Sequence, residues 1–108
     1  MSSLNIYINE KHKDYLYILA YMYLKNNQME KAITVYKALW HLFPESESPS
    51  FCLSYLHLHT RQFESALFYA DTYLAKKNTP LGFLLKSQAL FMLGRNFEAK
   101  KEISHFLN

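Results

Sequence analysis

A chain of 108 residues, half of them hydrophobic and with a net charge of +3, has the length of one domain with a continuous but shallow core. Its basic residues are scattered rather than gathered into a stripe interleaved with stacking rings, which argues against a nucleic-acid surface, and no run is long and apolar enough to insert in a membrane. The opening residues carry neither the basic cluster nor the apolar run of a signal peptide, and the single cysteine, Cys52, excludes an internal disulfide, so the expected location is cytoplasmic.

After a lead over residues 1–12, the apolar periodicity predicts six helices at about 13–26, 29–42, 49–60, 63–76, 80–93 and 96–107. Asn27 punctuates the first pair, and Arg61 and Gly94 fall at the same place in the second and third. Asn and Gly tolerate the left-handed backbone that ends a helix; Arg does so less readily, which makes the middle turn the least conventional. Ser48 before Pro49 and Thr79 before Pro80 each read as a capping residue followed by proline at the first helical position, where a missing amide proton costs nothing. Loops this short force each helix antiparallel to its neighbour.

Ala32, Ala66 and Ala99 recur at intervals of 34 and 33 residues, each five positions after one of those turns. The chain therefore divides into three units, residues 13–46, 47–79 and 80–108. In the first, Leu16, Leu19, Ala20, Tyr23, Ala32, Tyr36, Leu39 and Pro44 follow the large, small and aromatic order of the 34-residue tetratricopeptide pattern. The second keeps Leu53, Ser54, Ala66, Ala70 and Tyr73; the third keeps Phe83, Ser87, Leu90, Ala99, Ile103 and Phe106. The chain thus resembles a tetratricopeptide array, and the resemblance implies an all-α fold of three helical hairpins wound as a right-handed α-solenoid. Small residues at 20, 54 and 87 on the first helices, facing the alanines of the second, let the backbones approach closely.

Chemistry is poorly served. Among the five histidines only His57 and His59 are close in sequence, and two residues along a helix turn them about 200° apart, which does not suit one metal ion. There is no glycine-rich phosphate loop and no paired-histidine zinc motif. Cys52 is expected to be buried and inert, and Glu10 with Asp14 to form a solvated helix start. No cofactor, no metal and no catalytic residue are expected.

The informative residues are those that such an array does not need for its own core. Nine tyrosines and eight phenylalanines, besides Trp40, are more than three hairpins require. In the tetratricopeptide architecture the first helix of each hairpin lines a concave groove, which assigns Tyr17, Tyr21, Leu24, Phe51, Tyr55, Leu58, Leu84, Gln88 and Phe91 to it. Apolar side chains along one face make a patch larger than a solitary soluble protein leaves open, so a bound peptide or helix is expected there. Tyr17 and Tyr21 stand where the members that clamp a terminal carboxylate begin their basic and amide set, so an apolar ligand is expected instead. Trp40 and Phe68 are the candidates for a partner on the outer surface, and Ile103, Phe106 and Leu107 leave the last helix apolar.

From His12 to Leu107 the chain also resembles the small tetratricopeptide chaperones of bacterial type III secretion, most of all the YscY (SctY) assembly-chaperone family. The shared marks are the short lead, the Leu-Phe-Pro-Glu turn at 42–45, Cys52 opening the next hairpin, and Gly-Arg-Asn-Phe-Glu-Ala-Lys at 94–100. This resemblance implies a heterodimer with a small secreted protein like YscX (SctX), docking on the cytoplasmic domain of the major export-gate protein. It leaves open a needle-subunit chaperone, and outside the chaperones a scaffold or adaptor that uses the same groove.

Overall fold

In a computed structural model the described residues run from Glu10 to Leu107, the side chains of Glu10 and Phe106 excepted. They form six helices and no strand: α1 Glu10–Lys25, α2 Met29–Leu42, α3 Ser48–His59, α4 Phe63–Lys76, α5 Pro80–Met92 and α6 Asn96–Leu107. The fold is therefore all-α and made of consecutive helical hairpins, as the periodicity implies. Two compact units divide it, one through Pro49 and one from Ser50. The first unit is the hairpin of α1 on α2; the second holds α3 to α6, with α4 on α5 and α5 on α6 in sequential contact. No described helix is long and apolar enough to cross a membrane.

The three hairpin turns share one hydrogen-bonded geometry. Asn27, Arg61 and Gly94 have φ of 59°, 60° and 79°, the left-handed region. The residue after each then donates its N–H back over the turn: Gln28 to the Tyr23 carbonyl at 2.9 Å, Gln62 to His57 at 2.8 Å and Arg95 to Leu90 at 2.9 Å. This is the capping bond that satisfies the last carbonyls of the preceding helix. The same three residues accept from the N–H groups of Ala32, Ala66 and Ala99 at 3.1, 3.0 and 3.0 Å, which opens the second helix of each hairpin. The spacing of the alanines is thus the spacing of the turns.

Steric economy at those alanines sets the packing. Ala20, Ala32 and Ala66 are fully buried, and Ala99 nearly so. Ser54, also buried, donates its hydroxyl to the Ala66 carbonyl at 2.8 Å and so joins α3 to α4. Between α4 and α5 the approach is close at Gly82, where an added Cβ would stand 2.7 Å from Leu74 Cδ2 and 2.9 Å from the Tyr73 ring. The sequence pattern does not single out Gly82, because a glycine in the first turn of a helix is equally compatible with a loose start. Thr79 fixes that start: its hydroxyl accepts from the Gly82 N–H at 3.1 Å and lies 3.1 Å from the Tyr73 hydroxyl.

Several expectations need correction. Helix α1 begins at Glu10, three residues before its predicted start; residues 1–9 and the side chains of Glu10 and Phe106 lie outside the described residues. Ser48 is the first residue of α3 and not its cap, so Pro49 occupies the second position, where its missing N–H is equally harmless. Leu19, expected to be large and packed, is 37% exposed, and Cys52 is half-buried, not buried.

Arg61 carries a Cβ into a conformation that costs an ordinary residue about 1–2 kcal/mol. Arg61→Gly removes that cost while adding about 0.4–1 kcal/mol of unfolded-chain entropy, so urea unfolding is expected to show a net gain of about 0.5–1 kcal/mol. A loss of stability would mean that the side chain of Arg61 holds the turn.

Candidate functional site

The second unit carries a groove of about 1070 Å³. Helix α3 contributes Tyr55, Leu58 and His59, α5 contributes Leu84, Gln88 and Phe91, and α6 contributes Phe97, Lys100 and Ile103. Residues 84, 88 and 91 are spaced by four and three, so they share one face of α5, and the same spacing places Asn96, Lys100 and Ile103 together on α6. Tight turns bring the helices side by side; Leu53, Leu56, Leu85 and Leu90 turn inward with the small residues, and the rows that line the groove stay at the rim. Phe97 is 83% exposed, Phe91 62% and Tyr55 49%. Rings this open contribute little to the core, whose buried cluster in this unit is Ala66, Leu67, Ala89, Leu90 and Ala99.

The groove's polar edge is basic. Arg61 lies with its guanidinium 5.7 Å from the centre of the Phe63 ring, a cation–π contact that keeps the charge at the mouth. Lys100 enters from α6, and His59 leans on Tyr55 with ring centres 4.5 Å apart. No carboxylate lines the groove among the described residues. Elsewhere in the unit charges are compensated: Lys86 meets Asp71 at 3.0 Å and Glu102 at 3.3 Å. Burial opposes its charge, but the two carboxylates outweigh that and hold it above the ordinary lysine value. Arg95 pairs with Glu98 through two hydrogen bonds of 2.8 and 2.7 Å, which hold that carboxyl below its usual range.

Five of the nine residues assigned to the groove, Tyr55, Leu58, Leu84, Gln88 and Phe91, come together here. Phe51 does not line it: its ring packs edge-on against Tyr73 at 5.1 Å and is half-buried. Tyr17, Tyr21 and Leu24 belong to the first unit, where Tyr17 meets Tyr36 edge-on at 6.1 Å, Tyr21 is exposed beneath the Lys25 ammonium at 5.6 Å and Leu24 is half-buried. Trp40 is half-buried against His41 at 5.1 Å, and Phe68 is exposed beside Tyr69 at 5.1 Å. Residue pattern alone missed Arg61, Phe63, Met92, Phe97 and Lys100; their signal is position, since each flanks a turn or lies on the uncovered face of α6.

His57 and His59 point apart as their spacing requires. His57 is buried, stacked on Tyr69 with ring centres 5.5 Å apart, and its Nδ1 meets the Gln62 side-chain oxygen at 2.5 Å, so it braces the turn at Arg61. Burial pushes the Tyr69 hydroxyl above its ordinary pKa, which keeps that ring neutral. Among the described residues no group of three His, Cys, Asp or Glu side chains is placed to hold a metal ion.

A tetratricopeptide repeat model matches residues 14–46, a stretch that runs from within α1 to just past the end of α2. No curated protein matches the chain. The fold, an all-α array of consecutive helical hairpins, is similar to a tetratricopeptide array, and the matched repeat covers part of its first hairpin.

Because Phe91 and Phe97 are open, serine at both positions is expected to leave unfolding stability within about 0.5 kcal/mol of the parent while reducing the fluorescence of a bound hydrophobic dye. A loss above about 2 kcal/mol would mean that the rings belong to the core.

Proposed function

We propose that this protein is a non-catalytic scaffold that binds an apolar segment of a partner protein in the groove of its second unit. The observation that carries this reading is the row of open aromatic rings, Tyr55, Phe91 and Phe97, around a groove of peptide-accommodating volume. Aromatic anchors of this kind dominate binding energy because they bring large area with few torsions to freeze. Covering about 600 Å² of apolar surface contributes roughly 15 kcal/mol gross, most of it offset by lost translational freedom and side-chain ordering. Tyrosine adds a terminal hydroxyl for the partner's backbone.

A finer version of the same function is stoichiometric masking. The resemblance to the type III secretion chaperones, with its turn at 42–45 and its segment at 94–100, supports a cytoplasmic heterodimer with a small YscX-like (SctX-like) export component and docking on the export gate. There the scaffold would cover an amphipathic client against premature assembly until delivery. Scaffold and chaperone differ in the partner's fate: a permanent companion marks the first, and a client released for export marks the second.

Affinity purification from the native host with quantitative mass spectrometry tests the binding function. Tyr55→Ala with Phe91→Ala, verified as folded by circular dichroism, is expected to weaken the recovered complex by about 2–4 kcal/mol. A partner that binds the double variant as strongly as the parent would remove the groove from the account.

A further inference from the structure

We propose that the groove is the seat of an acidic amphipathic helix supplied by a partner polypeptide; this rests on the protein-binding function above and specifies its ligand. The first argument is the internal repeat. Helix α6 reproduces α4 at an offset of 33 residues, so Ala99 corresponds to Ala66 and Ile103 to Ala70. On α4 these positions are covered, with Ala66 sharing a buried cluster with Ala89 of α5 and Gly82 of α5 pressed to Tyr73 and Leu74. Ala70 is 0% exposed, whereas Ile103 is 38% exposed and lines the groove. What covers α4 is a helix, and the equivalent face of α6 has the shape to receive another.

Volume agrees with that occupant. A helix with its side chains is a cylinder about 10 Å across that rises about 1.5 Å per residue. A groove of about 1070 Å³ therefore accommodates roughly nine residues, or two and a half turns. Apolar side chains on one face of such a helix would meet Phe91 and Ile103.

Charge selects the sign of its other face. The basic lining residues are Arg61 at the turn, His59 from α3 and Lys100 from α6, with no carboxylate opposing them among the described residues. A helix with glutamates along its flank gains complementary, salt-screened attraction at this exposed rim, while a lysine flank brings like charges together. Residues 1–9 of the chain contain no Asp or Glu, so that segment lacks the required complement.

The test uses the full chain and two fluorescein-labelled amphipathic peptides of about 18 residues, long enough to hold helix, with one shared leucine and alanine face and either glutamate or lysine opposite. Fluorescence anisotropy is expected to show the glutamate peptide binding at least about tenfold more tightly, with affinity falling as salt rises. Lys100→Glu combined with Arg61→Asn, a residue that tolerates the left-handed turn, is expected to remove that preference; Lys100→Glu alone, at an exposed position, provides a second variant with the turn untouched and is expected to reduce it. Equal binding of both peptides, lost in Phe91→Ala, would overturn the acidic partner and leave the protein-binding function intact. Binding of neither peptide would overturn the helix seat, while a partner recovered by purification and lost in the groove variant would still uphold the broader function. Self-association of the chain that Phe91→Ala abolishes in sedimentation would place a second copy in the groove and also overturn the proposal.

Discussion

Close helix approach at a residue with almost no side chain, immediately after a left-handed turn, is the constraint on which this structure depends. Each turn has the same donor and acceptor pairs, with residues 28, 62 and 95 bonding backward to the preceding helix and accepting from alanine N–H groups four residues ahead. Once that geometry is set, the second helix can leave in only one direction. Its first buried position must then be small, because the neighbouring helix occupies the space a larger side chain would need. Ser54 reinforces the seam by donating across it to Ala66, so a buried hydroxyl becomes a link between helices and not an unmet polar group.

A seam built from alanine, serine and glycine also explains the groove. Large side chains such as Leu53, Leu85 and Leu90 fill the interior beside that seam, and the others lie at the edges of the helices. There they either pair with one another, as Phe51 does with Tyr73, or remain open, as Phe91 and Phe97 do. The second group has no folding role that its exposure would support. Core and groove thus draw on different side chains of the same helices: Ala89 and Leu90 face inward on α5, while Gln88 and Phe91 face the groove.

Helix positions were legible because they follow from periodicity and turn chemistry, both local. The bounds of α2, α4 and α6 fall where the sequence predicts them, since each starts two residues after a left-handed residue. The start of α5 at Pro80 also falls where predicted, fixed by the Thr79 cap, whereas α1 extends back to Glu10 and α3 takes in Ser48, because a serine before proline serves equally as a cap or as a first helical residue. Of the residues that repeat position assigns to a groove, Tyr55, Leu58, Leu84, Gln88 and Phe91 line the cavity of the second unit, whereas the Phe51 ring packs against Tyr73. The contribution of α6 and of Arg61 depends on which faces tertiary packing leaves open, and no single-helix pattern contains that. Partner identity resides in the complementary sequence of the ligand, so it enters only through the resemblance to secretion chaperones.

Site-specific photocrosslinking in the native host tests the central claim most directly. A photoreactive residue placed at Phe91, inside the groove, is expected to capture a partner protein, whereas the same residue at exposed Phe68, which does not line the groove, is expected to capture none. Capture at position 68 with silence at 91 would contradict the account and move the binding surface to α4.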